Sequence, residues 1–229
     1  MTRELSVIIP AYNEERNIDK AVQKCLEVLP KFVEQFEIVV VNDGSSDGTG
    51  TIADRMAKSH EQVKVFHHGR NKGMGAGIAT GFSHARYDLL FATPADMQFD
   101  IRELGGLLAL IGGADIVASF RVNRNYNWYR WIITYTNIFL LRLLFGLKVK
   151  DPNWVKLFRK EVFSRIEITS PGFFWDAEVL IKAKKQGLRI AEVGVHSYAR
   201  KQGKASGASP KAAVKTFFAL IKFWLTSMY

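Results

Sequence analysis

A chain of 229 residues that is 48% hydrophobic can bury a sizeable core, which excludes a disordered protein and suits one large α/β domain or a domain with an extension. Lys plus Arg outnumber Asp plus Glu by 32 to 22, and the formal charge of +10 favours an anionic partner such as nucleic acid, phosphate or a membrane surface. Cys25 is the only cysteine, which excludes a disulfide framework and a cysteine-based metal site and fits a reducing, cytosolic compartment. No signal peptide is expected, since Met1 leads straight into the first strand.

Residues 5–18 read LSVIIPAYNEERNI. Residues 7–9 predict a buried parallel strand that Pro10 stops, and Ile18, Ala21, Val22, Cys25, Leu26 and Leu29 then recur with helical spacing. Ligands of an open α/β sheet sit at the carboxyl ends of its strands, so Tyr12, Asn13, Glu14 and Glu15 are expected to line a crevice; the alternative is an ordinary loop with Asn13 as a helix cap. Residues 36–41 predict the second strand, and NDGSSDGT at 42–49 opens a helix carrying Ile52, Ala53, Met56 and Ala57 on one side. A third strand is expected over 63–66, followed by RNKGMGAGIATGF at 70–82, a glycine-rich entry to a helix ending near residue 86. The next strand, 87–92, ends in TPADMQFD at 93–100; a helix over 101–111 and a strand over 115–120 follow. This alternation predicts a parallel sheet covered on both faces.

Beyond residue 120 the composition shifts. Residues 125–149 are crowded with aromatic and aliphatic side chains, but their uncharged stretch, 131–141, falls well short of the ~20 residues that span a bilayer. Trp128, Tyr129, Trp131 and Tyr135 beside Arg130 suit a helix lying at a membrane interface. A second such segment, 212–229, sets Phe217, Phe218, Phe223 and Trp224 among Lys211, Lys215 and Lys222. Either segment alone fits a core or dimer-interface helix equally well, which leaves a homo-oligomer or a membrane-protein partner as the alternative cover. Two together in a basic chain favour the membrane surface.

Asp43, Asp47 and Asp96 all fall at carboxyl ends of predicted strands or in the loops leaving them, so the fold gathers them along one edge. Carboxylates beside a basic, glycine-rich turn suit a nucleotide, with a metal bridging acid to diphosphate. GMGAG follows the third strand and does not fit the dinucleotide fingerprint; Gly73, Gly75 and Gly77 alternatively serve tight turning and close helix packing.

Taken together, VIIPAYNEERNI, IVVVNDGSSDGT, NKGMGAGIATGF and TPADMQFD, in this order and spacing, resemble the family 2 glycosyltransferases with the A-type nucleotide-sugar fold. SFR at 119–121, Arg130, LLFGLKVKDPN at 143–153, KLFRKEVF at 156–163 and WDAEVLIKAKKQGLRIAEVGV at 175–195 are similar to the dolichol-phosphate or polyprenyl-phosphate hexose synthase branch. The resemblance covers about residues 5–207 and implies a mostly parallel, Rossmann-like α/β sheet with helices on both faces plus amphipathic interfacial helices. It implies a catalytic domain over 1–209, with a nucleotide-sugar-binding half (1–124) and an acceptor-binding half (125–209), then a C-terminal amphipathic helix (210–229).

The same resemblance assigns residues. Pro10, Tyr12, Asn13, Glu14, Val41, Asp43, Gly73, Ala95 and Asp96 fall at the nucleotide-sugar site, with Asp43 holding the base. Asp96 and Gln98 match the later members of the DADxQ metal motif, for Mg2+ or Mn2+; its first acid is replaced by Pro94, and Asp100 is nearby with no sign in the sequence that it substitutes. Arg121, Arg130, Arg200 and Lys204, with Lys201, are expected to bind acceptor phosphate. Asp176 and Glu178 stand where relatives carry an acid facing the acceptor, or else cap the helix that starts there. Asp96, Arg121, Asp176 and Glu178 are thus the candidate catalytic set.

The implied reaction is inverting, metal-dependent transfer of a hexose from a nucleotide diphosphate sugar of the GDP-mannose or UDP-glucose type to a polyprenyl or dolichyl phosphate, by a protein peripheral at the cytosolic face of a membrane. An ionised phosphate acceptor needs no strong general base. The alternatives are transfer to a saccharide or protein hydroxyl, with Asp176 or Glu178 as base, and a non-catalytic nucleotide-sugar-binding scaffold that lost its metal motif. No nucleic-acid partner is expected, because the aromatics cluster in apolar helices and do not interleave with the basic loop.

Overall fold

The structure is a computed structural model that describes residues 4–124, 128–199 and 210–226. Along β1 (Glu4–Ala11) alternate side chains enter opposite cores, with Leu5, Val7 and Ile9 in one and Ile8 in the other. The chain continues through α1 (Ile18–Val28), β2 (Gln35–Asn42), α2 (Thr49–Ser59), β3 (Val63–His67), α3 (Met74–His84) and β4 (Leu89–Ala92). Then come α4 (Leu104–Leu110), β5 (Ile116–Arg121), α5 (Trp128–Phe145), β6 (Lys156–Arg159), α6 (Val162–Arg165), α7 (Trp175–Lys185), β7 (Ile190–Val195) and α8 (Pro210–Thr226). Helices α1, α2 and α4 cover one face of the sheet; α3, α5, α7 and α8 cover the other.

The seven strands run in the order β3-β2-β1-β4-β6-β5-β7. The predicted parallel pairing holds among β1 to β4, but β5 does not join β4. Strand β6 lies between them, antiparallel to both, and β7 pairs parallel on the outside of β5. Residues from both halves of the chain therefore share one sheet. Strands β6 and β7 carry no sequence pattern that announces them, because KLFR is four residues long with a cation at each end and IAEVGV lies mostly half-buried. The expected strand start at 87 moves to Leu89, since the N–H groups of Arg86 and Tyr87 donate to Glu37 and Ser6 side chains and leave the ladder. The expected helix over 101–111 begins as a 3-10 turn over 101–103.

No described helix is long and apolar enough to cross a membrane. On α5, Trp128, Ile132, Phe139 and Leu143 are 57 to 75% exposed, while Ile138 and Leu141 are buried. Helix α8 packs Leu220 and Phe223 inward, the latter against Phe145 and Phe174, and leaves Val214, Phe217, Phe218 and Leu225 exposed. Each helix thus has a core face and a bare apolar face.

Candidate active site

Two loops leaving β1 and β2 are clasped together at the carboxyl edge. The Asn13 N–H donates to Ser45 Oγ at 3.0 Å, and Asn13 Oδ1 accepts the Ser46 N–H at 2.9 Å. Glu15 and Asp47 repeat this pattern: the Glu15 N–H reaches Asp47, and Glu15 Oε2 accepts the Gly48 N–H at 3.0 Å. Asn13 holds φ at 54°, a left-handed conformation that asparagine tolerates better than most residues, and the helix cap falls at Asn17 instead. Glu14 accepts from the Asn17 side chain at 2.6 Å, and Tyr12 is 45% exposed at the rim. Pro10 and Val41 lie buried beneath the clasp as register partners in adjacent strands.

Asp43 is turned inward. Its Oδ1 accepts the Lys72 N–H at 2.8 Å and contacts His68 Nδ1 at 2.7 Å, while Oδ2 accepts the Gly73 N–H at 2.8 Å. It organises the glycine-rich turn. Gly73 has a φ of 100°, and a Cβ there would come within 2.4 Å of the Pro171 carbonyl; a Cβ on Gly75 would come within 2.0 Å of the Ser170 carbonyl. The Gly75 and Ala76 amides both donate to Pro171 O. Gly73 and Gly75 thus serve tight turning and close packing.

The metal motif forms a tight turn after β4. Asp96 is 8% exposed and its Oδ1 accepts the Gln98 N–H at 3.1 Å, with Met97 at φ 60° and Ala95 buried beside it. Asp100, six residues beyond Pro94, is engaged at both of its oxygens by Arg102. That guanidinium also holds the Asp100 carboxyl below its ordinary range. Among the described residues no cluster of three or more acidic, His or Cys side chains is placed to hold a metal. The Gln98 carbonyl accepts the Tyr198 N–H, and Phe99 bridges Ser197, so the segment leading toward residue 200 is tied to this turn. Arg200, Lys201 and Lys204 lie outside the described residues.

A second charged cluster is built around Asp151, which is 1% exposed. Arg121 grips it with two bonds, Nε–Oδ2 at 2.8 Å and Nη2–Oδ1 at 3.0 Å, and Arg124 reaches Oδ2 at 3.1 Å. Two largely buried guanidiniums share one carboxylate. Beside them opens a cavity of about 460 Å³ that Trp131, Tyr135, Arg142 and Lys150 also line. Arg130 is half-buried one residue before Trp131 and is not among the lining residues. Arg121 also lies 4.6 Å from the centre of the Trp154 ring.

On α7 the two candidate acids part company. Asp176, whose side chain is 18% exposed, pairs with Lys156 Nζ at 2.5 Å. Burial pushes its carboxyl above the ordinary range, and Lys156 is the strongest opposing influence. Glu178 is fully buried: Oε1 accepts from Thr169 and Lys182, and Oε2 accepts the Ser170 N–H at 2.8 Å. Its carboxylate braces the turn whose carbonyl closes α3.

The profile of the family described as Glycosyl transferase family 2 matches residues 6–168. The chain belongs to glycosyl transferase family 2. Polyprenol monophosphomannose synthase of Mycolicibacterium smegmatis is 31% identical across 93% of this chain and 85% of its own length. Glycosyltransferase AglD of Haloferax volcanii is 30% identical across 84% of this chain, which spans only 32% of AglD. Glucosyl-3-phosphoglycerate synthase from Mycobacterium tuberculosis, solved with Mn2+, uridine diphosphate and glucosyl-3-phosphoglycerate, superposes with a TM-score of 0.75 at 20% identity, covering 96% of this chain and 79% of that one. The fold is the A-type fold of these enzymes.

In this family 2 glycosyltransferase the sequence motifs located the clasp and the turn after β4 that carries Asp96 and Gln98. They did not reveal Asp151, Arg124, Lys150 or Lys156, which meet only because β6 returns between β4 and β5. The one available signal was KDPN at 150–153, a charged pair entering a turn.

Proposed function

We propose that this glycosyltransferase moves a hexose from a nucleotide diphosphate sugar to a polyprenyl or dolichyl phosphate, with inversion. The observation that carries the reading is Arg121 and Arg124 on the single carboxylate of Asp151. The two guanidiniums, with Arg142 and Lys150, bring four cations to the lining of one cavity. A cavity lined by so many cations focuses positive potential and suits an anion. Trp131, Tyr135 and the bare apolar face of α5 adjoin it, which suits a phosphate carrying a lipid chain. The names of the two curated relatives, a polyprenol monophosphomannose synthase and a glycosyltransferase, support the same reading.

On the donor side, Pro10, Tyr12, Glu14 and Val41 frame the nucleotide, while Asp43 and Gly73 act through the turn they hold. Asp96 and the Gln98 side chain would hold Mg2+ or Mn2+, ions that need only one or two carboxylates when substrate phosphates are also available. An ion held by Asp96 and Gln98 would supply positive charge for the departing diphosphate. Arg121, Arg124 and Lys150 hold the acceptor phosphate; its oxygen is ionised at neutral pH and attacks the anomeric carbon directly. Glu178 contributes by bracing the 169–171 turn. The protein lies peripherally on the cytosolic face of a membrane, with α5 and α8 at headgroup level.

The test is a screen of nucleotide sugars against a short-chain polyprenyl phosphate, with and without Mg2+ or Mn2+. Metal-dependent formation of a lipid-linked sugar is expected. Nucleotide-sugar binding with no transfer to any phosphate or hydroxyl acceptor would leave the scaffold reading in its place.

A further inference from the structure

We propose that Lys156 is a positioning residue that restricts this enzyme to acceptors that are already ionised, by holding Asp176 as the fixed anion of an ion pair. The inference rests on the lipid-phosphate reading and deepens it. Lys156 stands in β6 with Ala92 and Ala118 as its register partners on either side, and it is 1% exposed. A lysine in the centre of a sheet is rare without a partner. Its Nζ donates to Asp176 Oδ1 at 2.5 Å and to the Trp154 carbonyl at 2.8 Å. The ring of that same Trp154 carries Arg121, so the pair is one residue removed from the phosphate pocket.

Transfer to a phosphate forms a bond from a phosphate oxygen to the anomeric carbon. It breaks the bond from that carbon to the donor diphosphate, which leaves with the electron pair. No proton moves. Transfer to water or an alcohol makes and breaks the same bonds but also releases the proton of the attacking O–H, which a base must take. Asp176, whose side chain is 18% exposed and which feels the charges of Arg121 and Asp151, is the carboxylate available to take it. If it did, the Lys156 ammonium would remain buried with no carboxylate, only the Trp154 carbonyl and the face of the Trp175 ring, which disfavours protonation. Burial raises the Asp176 carboxyl and Asp151 adds to the rise; Lys156, in contact at 2.5 Å, and then Arg121 oppose it, so the ionised pair depends on Lys156.

The experiment follows donor hydrolysis and transfer to a short-chain polyprenyl phosphate across pH, for wild type, Lys156→Met, Lys156→Gln and Lys156→Met/Asp176→Asn. The uncharged variants should raise the ratio of hydrolysis to transfer at least ~10-fold, with hydrolysis rising through the ionisation of Asp176. The double variant should return to the low ratio. Lys156→Arg, which keeps the charge, should retain it as well. Parallel loss of both activities, as from a structural role alone, or an unchanged ratio, would overturn the proposal. So would a ~100-fold loss of phosphate transfer in Asp176→Asn, which needs no Lys156 variant to fold. Wild-type protein that transfers nothing to polyprenyl phosphate would instead refute the lipid-phosphate reading itself.

Discussion

The N–H of Gly75 donates to the carbonyl of Pro171 at 2.8 Å, so a turn from the C-terminal half of the chain closes the first turn of α3 in the N-terminal half. A methyl group on Gly75 would meet the Ser170 carbonyl at 2.0 Å, a backbone atom that cannot swing aside. Gly75→Ala should therefore lower stability by about 2 kcal/mol or more and loosen donor binding. Gly112→Ala, with nothing within 4 Å of the added carbon, should change stability by less than about 0.5 kcal/mol. Urea unfolding of the two variants checks the contrast.

Glu178 gives the fold an acid-sensitive point. Burial alone would raise its carboxyl, but hydrogen bonds from Lys182, Thr169 and Ser170 outweigh it and hold the group below the ordinary glutamate range. A carboxyl depressed by folding contributes stability that is complete above its unfolded value of about 4.3 and is lost as pH falls through the lower folded value. Glu178→Gln should cost about 2 kcal/mol at neutral pH and flatten the pH dependence of stability below that point. Unfolding midpoints across an acid pH series report both effects.

Metal binding should depend on the donor. With Asp96 as the one acid of its motif and Asp100 held by Arg102, Mn2+ should bind weakly alone and tightly in the presence of a nucleoside diphosphate. Calorimetry distinguishes these cases. Asp96→Ala should lower turnover on the order of 100-fold.

Removing Arg124 and removing Asp151 should have opposite signatures. Arg124→Leu leaves Asp151 paired with Arg121, so stability should change by less than about 1 kcal/mol while KM for the phosphate acceptor rises about 10-fold. Asp151→Asn strands two buried guanidiniums and should cost about 3 kcal/mol. Acceptor kinetics and thermal unfolding of both variants separate binding from stability.

Liposome cosedimentation should increase with anionic lipid and fall in high salt, leaving an apolar residue of binding. Phe139→Glu with Leu143→Glu, on the bare face of α5, should abolish that residue while leaving nucleotide-sugar binding in place. Absence of liposome binding by the intact chain at low salt would reassign these faces to an oligomer interface.

Local pattern determined much of this protein. Short continuous apolar runs and period-3.6 apolar repeats marked β1 to β5 and the helices between them, and the PAYNE, NDGSSDG and ADMQ turns marked the carboxyl edge, because turns must follow strands and ligands collect there. Tertiary structure alone decided what those turns do. Asp43 is an acid at a strand end in either case; only the approach of residues 72 and 73 turns its carboxylate inward. Lys156 and Asp176 are 20 residues apart, and Arg121 and Asp151 are 30. No periodicity links residues at such separations, since their pairing depends on β6 inserting antiparallel between two parallel strands, a choice made by long-range packing.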